Sequence, residues 1–108
     1  MAGRLIRGTV YLCRFRAPDK ERPAVVLTRD PSIGNLSSVT VAPITSTIRG
    51  ARSEVSLDAG DGMKGPCVIN LHNVVTIPQS WMGRQVATLS EEKMHEVCAV
   101  LRFSLGCL

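Results

Sequence analysis

Two short runs, Ala24-Val-Val-Leu-Thr28 and Val39-Thr-Val-Ala-Pro-Ile44, constrain the fold of this chain more than any other feature. The first is apolar at consecutive rather than alternate positions. Both of its faces therefore need covering, as in a strand at the centre of a sheet. The second is rich in β-branched residues and follows a loop-like stretch, 30–38, broken by Pro31 and Gly34-Asn35. Pro43 lacks an N–H and predicts the end of that strand or an edge there. Each run also carries a polar hook, with Arg22 ahead of the first and Thr45 behind the second. Paired as neighbours, the runs bring an arginine and a cluster of hydroxyls to one end of a small sheet. Such a site suits a phosphodiester better than a metal, a nucleotide cofactor or an acyl group.

The rest of the chain fits around this pair. Residues 9–15 alternate as a strand after a turn at Gly8, and 53–57 alternate polar and apolar. Residues 58–66 form a Gly-rich loop without the spacing of a phosphate-binding glycine motif. The run 67–77 reads as one long strand interrupted by Asn70, His72 and Asn73, and 81–87 as a short last strand. The end is helical. Ser90 is a good N-cap, Glu91 and Glu92 suit the helix dipole, and Leu89 with Met94 forms a hydrophobic staple. Met94, Val97, Cys98, Leu101 and Leu105 share a helical face, and Gly106 is placed to stop the helix. Five to seven strands and one C-terminal helix make a mostly β small barrel with a covering helix. At 108 residues the chain is expected to be a single domain, 1–108.

A hydrophobic content of 44% with only 4% aromatics excludes disorder and predicts a core of Val, Leu and Ile. No run approaches the roughly 20 apolar residues of a membrane span, and the start lacks a secretory apolar region, so a cytoplasmic location is expected. The formal charge is +4, and residues 1–52 hold nine of the 13 Lys and Arg against Asp19, Glu21 and Asp30. A basic half points to a polyanionic partner, and ten Arg against three Lys favours bidentate phosphate contacts. Cys13, Cys67, Cys98 and Cys107 form no CxxC and read as reduced thiols without metal-ligand spacing.

Six motifs then fall in one order: Arg7-Gly-Thr-Val-Tyr-Leu, Arg22-Pro-Ala-Val-Val-Leu-Thr, Val41-Ala-Pro-Ile-Thr-Ser-Thr-Ile, Ser53-Glu-Val-Ser-Leu, Gly83-Arg84, and the helix beginning Leu89-Ser-Glu-Glu-Lys. Together, over nearly the whole chain, they resemble the MazF/PemK (Kid) toxins of bacterial toxin–antitoxin pairs. The resemblance implies an SH3-like barrel of the CcdB/Kid type, usually a homodimer. It implies sequence-specific cleavage of single-stranded RNA without metal or other cofactor, and inhibition by a small acidic antitoxin. It assigns catalysis to Arg22 and Thr45, with Ser46 and Thr47 extending the same turn. RNA contacts are expected from Phe15, Lys20, Ser46, Thr47, Arg49, Arg52 and Asn70, on or beside the loops 15–21, 49–53 and 58–66. Phe15, Tyr11 and Trp81 are the aromatic platforms expected for base stacking.

The chemistry suits these residue types. RNA can be cut by in-line attack of its own 2′-OH, leaving a cyclic phosphate and a 5′-OH, if geometry is held and the growing oxyanion charge is offset. Arg22 supplies two parallel donors and Thr45 a third. With a pKa above about 12, Arg22 is assigned charge stabilisation before proton donation. Some relatives carry an acidic residue in the late strand, where this chain has Asn70-Leu-His-Asn73. His72 is the candidate base, with Asp19 and Glu21 as weaker carboxylate candidates. The rival from another class is a CcdB-like toxin that binds DNA gyrase without catalysis. That group commonly ends Trp-Gly-Ile, whereas this chain ends Gly106-Cys-Leu108.

Overall fold

The computed structural model describes residues 5–15 and 21–107. In chain order the elements are β1 (Thr9–Cys13), β2 (Arg22–Val26), α1 (Asp30–Ile33), β3 (Ser38–Thr45), β4 (Glu54–Leu57), β5 (Cys67–Asn70), β6 (Val75–Pro78), β7 (Met82–Thr88) and α2 (Glu91–Ser104). Short 3₁₀ turns at Ala59–Asp61 and Gln79–Trp81 precede β5 and β7. All pairings are antiparallel, in the order β4-β5-β3-β2-β1-β7, with β6 also on β3. The fold is mostly β with a C-terminal helix.

The continuous apolar run of β2 is explained by two cores, one on each face of the central strands. Val10, Val25, Ala42 and Ile44 join Val55, Ile69, Leu89 and Val97 in the larger cluster, roofed by α2. Tyr11, Ala24, Val26, Val39 and Val41 join Ile33 and Ile77 in the second. Val41 and Ala42 are both fully buried because the strand serves one core with each. β3 also runs through Pro43 to Thr45 instead of ending at it. On one side β3 pairs with β6 up to Val41 and with β5 from Ile44, so the missing N–H falls where the neighbour changes.

Two sequence expectations are corrected. The run 67–77 is two strands, because the Asn70 Oδ1 accepts the His72 N–H at 3.0 Å and the Asn70 carbonyl accepts the Asn73 N–H at 3.4 Å, which turns the chain. The 30–38 loop contains the single helical turn α1, started by Pro31 and anchoring Ile33 in the second core. The C-terminal helix follows its sequence signals. The Ser90 hydroxyl accepts the Lys93 N–H at 3.0 Å, and Leu89 and Met94 pack into the same core. At the other end Gly106 has φ 72°, its N–H reaches the Phe103 carbonyl, and the Cys107 N–H reaches that of Arg102, the paired bonds of a Schellman stop.

Candidate functional site

The antiparallel register sets Ala24 opposite Pro43, and extending it by two residues places Arg22 across from Thr45. Both side chains line a groove of about 730 Å³ at this end of the sheet, together with Ser46. Its apolar floor includes Leu12, Ile44, Met63 and Val86, three of which belong to or pack against the larger core. Its charged lining is Arg22, Lys64 and Arg84, with no His, Asp or Glu among the described lining residues. Three cations with no carboxylate among the described lining residues attract phosphate. Among the described residues, no group of three or more His, Cys, Asp and Glu side chains is placed to hold a metal ion.

The Thr45 hydroxyl oxygen accepts the Thr47 N–H at 3.1 Å, which fixes its position at the strand end while leaving its own O–H as a donor. The following loop is tied down by Glu54, whose carboxylate accepts the N–H groups of Arg49, Gly50 and Ala51 at 3.0–3.3 Å. The Gly-rich loop is shaped by its own acids. The Asp58 carboxylate accepts the Gly60 N–H and the Asp61 carboxylate accepts the Asp58 N–H, at 2.8 and 2.9 Å. Gly62 then takes φ 91° against β7, where a Cβ would meet that of Ala87 at 2.9 Å. This fold of the loop delivers Lys64 to the groove. Burial, and then the charges of Asp61 and Asp58, push the Cys67 thiol above its ordinary range, so this groove cysteine stays protonated.

The other sequence candidates fall elsewhere. His72 is exposed in the β5–β6 turn, outside the groove lining; Asn70, half-buried at the end of β5, initiates that turn and lies outside the lining as well. Phe15 packs against the second core beside Trp81, and the Tyr11 hydroxyl accepts the Ile6 N–H at 3.2 Å. Arg52 lies over the Phe103 ring of α2, 4.1 Å from its centroid. Thr47 and Arg49 are exposed in the loop beyond the groove. Lys20 and Asp19 lie outside the described residues. The sequence assigns neither Lys64 nor Arg84 a place in the site, although Gly83-Arg84 is one of its six motifs. Lys64 sits in a loop expected to contact RNA, whereas Arg84 is aimed by a strand irregularity that the sequence marks only with the preceding glycine.

A seven-stranded antiparallel sheet, a C-terminal helix and a cationic groove define a small toxin-like barrel. Residues 6–105 match the family described as PemK-like, MazF-like toxin of type II toxin–antitoxin system. The chain belongs to that family. It is 40% identical over 91 residues to the probable endoribonuclease MazF2 of Mycobacterium tuberculosis, covering 83% of this chain and 89% of that protein. The solved M. tuberculosis toxin MazF-mt6 superimposes with a TM-score of 0.86 at 33% identity, over 93% of this chain and 98% of that one. A MazE–MazF structure from Deinococcus radiodurans gives a TM-score of 0.83 at 26% identity, covering 96% and 98% of the two chains.

Proposed function

We infer that this chain is an endoribonuclease, the toxin of a toxin–antitoxin pair, and that it cuts single-stranded RNA, mRNA included, at short specific sequences, so blocking translation and growth. The curated relatives bearing on this reading are named endoribonucleases. The observation that carries it is the meeting of Arg22 and Thr45 across β2 and β3 in a groove with three cations and no carboxylate in its described lining. The 2′-OH of the RNA attacks the adjacent phosphorus, the 5′-oxygen leaves, and a 2′,3′-cyclic phosphate and a 5′-OH result. Arg22 forks onto the equatorial oxygens and Thr45 donates to one of them, offsetting charge that grows in the transition state. No metal is required by this chemistry.

His72 stands outside the groove lining, so the proton of the 2′-OH passes to solvent or to a group beyond the described lining. The groove is also where an acidic antitoxin would bind and block RNA; relatives from Deinococcus radiodurans are solved as MazE–MazF. The whole chain acts as one domain, in the cytoplasm and as a homodimer. Among the described residues, no helix is long and apolar enough to cross a membrane.

The test is incubation of the purified protein with long RNA in EDTA, followed by mapping of cut sites and ends. Cuts bearing cyclic phosphates, blocked by 2′-deoxy substitution at the scissile nucleotide, are expected. RNA left intact across diverse sequences would refute the enzyme. Arg22→Ala and Thr45→Ala are each expected to lower single-turnover cleavage on the order of 10² to 10³-fold, the cost of removing one oxyanion donor. Wild-type rates in both would remove these residues from the site.

A further inference from the structure

Strand β7 meets β1 with interrupted register, and one interruption has a functional reading. Tyr11 pairs with Gln85 and Cys13 with Met82, so Gly83 and Arg84 together stand opposite the single residue Leu12. Two residues against one is a β-bulge, which leaves a residue out of the ladder and re-aims a side chain. Glycine permits it, because a Cβ at Gly83 would stand 2.8 Å from the Leu12 carbonyl oxygen, closer than any side chain tolerates. Leu12 and Arg84 both line the groove, with Val86 beside them. Arg84 is exposed and makes no ion pair among the described residues. An arginine over an apolar wall, in a groove whose described lining has no carboxylate, is arranged for an anion from outside.

Its place relative to Arg22 decides which anion. Leu12 is opposite Pro23 on β2 and opposite the bulge on β7, so Arg84 lies nearly level with the start of β2. The two residues are two strand spacings apart, about 10 Å. With each side chain extending from its own strand, that spacing lets the two guanidinium groups hold neighbouring phosphates of one RNA strand. Resting on the function proposed above, we propose that Arg84 binds a backbone phosphate flanking the one that is cut, and that Gly83 is its positioning residue. The contact is independent of base sequence, so it sets affinity and register along the groove while the loops choose the site.

The experiment measures binding of an uncleavable 2′-O-methyl single-stranded RNA to the intact protein over a salt series. Arg84→Ala is expected to reduce the slope of log K against log salt by about 0.7, the loss of one single-strand phosphate contact, which is about fivefold in affinity at 0.1 M salt. In cleavage assays its loss should fall on KM more than on kcat, and Arg84→Lys should recover part of the affinity. Gly83→Ala keeps the guanidinium but closes the bulge, and is expected to weaken binding as Arg84→Ala does. If circular dichroism shows that Gly83→Ala does not fold, the two Arg84 variants decide alone. An unchanged salt slope in Arg84→Ala overturns the proposal, and so does a loss confined to kcat, which would put Arg84 at the reacting phosphate. Wild-type protein that cuts RNA while Arg84→Ala binds normally sinks this inference only. Wild-type protein that neither binds nor cuts RNA sinks the function beneath it as well.

Discussion

Thr45 is held by the backbone and still has a proton to give, a combination that makes its hydroxyl a test of chemistry separate from packing. Its oxygen accepts the Thr47 N–H, so Thr45→Ser should keep most of the cleavage rate. Thr45→Val, of nearly equal volume, should lose about as much as Thr45→Ala. His72→Ala is expected to cost less than tenfold, below the 10² to 10⁴ typical of a general base, because the residue lies outside the groove lining. A larger loss in single-turnover cleavage would restore it as the base. Cys13 gives a prediction on stability. It is fully buried, and burial pushes its thiol from 9.0 up to about 11. The unfolded chain ionises it near 9 and the folded protein near 11. Its contribution is therefore complete below pH 9 and is lost as pH rises towards 11, by up to about 3 kcal/mol. Denaturant unfolding across that window should show a fall that Cys13→Ala flattens. Arg22 and Thr45 were readable in the sequence because each sits at the end of an apolar run whose strand character is local. The strand expected through His72 was misleading for a local reason too. The spacing there fits a strand, but the Asn70 side chain turns the chain before His72.

Among the elements, α2 was the most legible, since its cap, dipole charges, apolar face and terminal glycine all lie within the segment itself. Ser90→Ala should cost about 1 kcal/mol in denaturant unfolding, the usual worth of an N-cap hydroxyl, here one that accepts the Lys93 N–H. A value near zero would mean that tertiary packing alone fixes the start of the helix. The loop after β3 depends on a residue that its own sequence does not announce. Glu54 belongs to β4 yet gathers the N–H groups of Arg49, Gly50 and Ala51. Glu54→Ala leaves those donors to solvent, and trypsin is expected to cut after Arg49 and Arg52 faster than in the wild type. Equal rates would show that the Arg52–Phe103 contact holds the loop without it. The bulge of β7 was hidden for the same reason, because it exists only as a mismatch of count between two strands distant in sequence.

At the scale of the molecule, charge and shape act together. Residues 1–52 carry most of the basic side chains, but the groove draws Arg22 from that half and Lys64 and Arg84 from the net-acidic one. Uneven composition therefore pointed to a polyanionic partner without locating the groove. With three groove cations each meeting a phosphate, log K for single-stranded RNA should fall with log salt at a slope of about −2. A flat dependence measured over the same salt series would mean that the groove does not take the RNA backbone.

The sequence by itself determined the secondary-structure class, the C-terminal helix, the central place of β2 and β3, and the placing of Arg22 and Thr45 at one end of the sheet. These rest on periodicity, capping and residue type over a few neighbouring positions. Only the tertiary structure decided that β2 and β3 face two cores, that Arg84 and Lys64 join Arg22, and that His72 and Arg52 do not. Those facts depend on register and on close approach between segments far apart in the chain. One extra residue in β7 opposite Leu12 shifts which side chains meet the groove, and Gly83 is its only local mark.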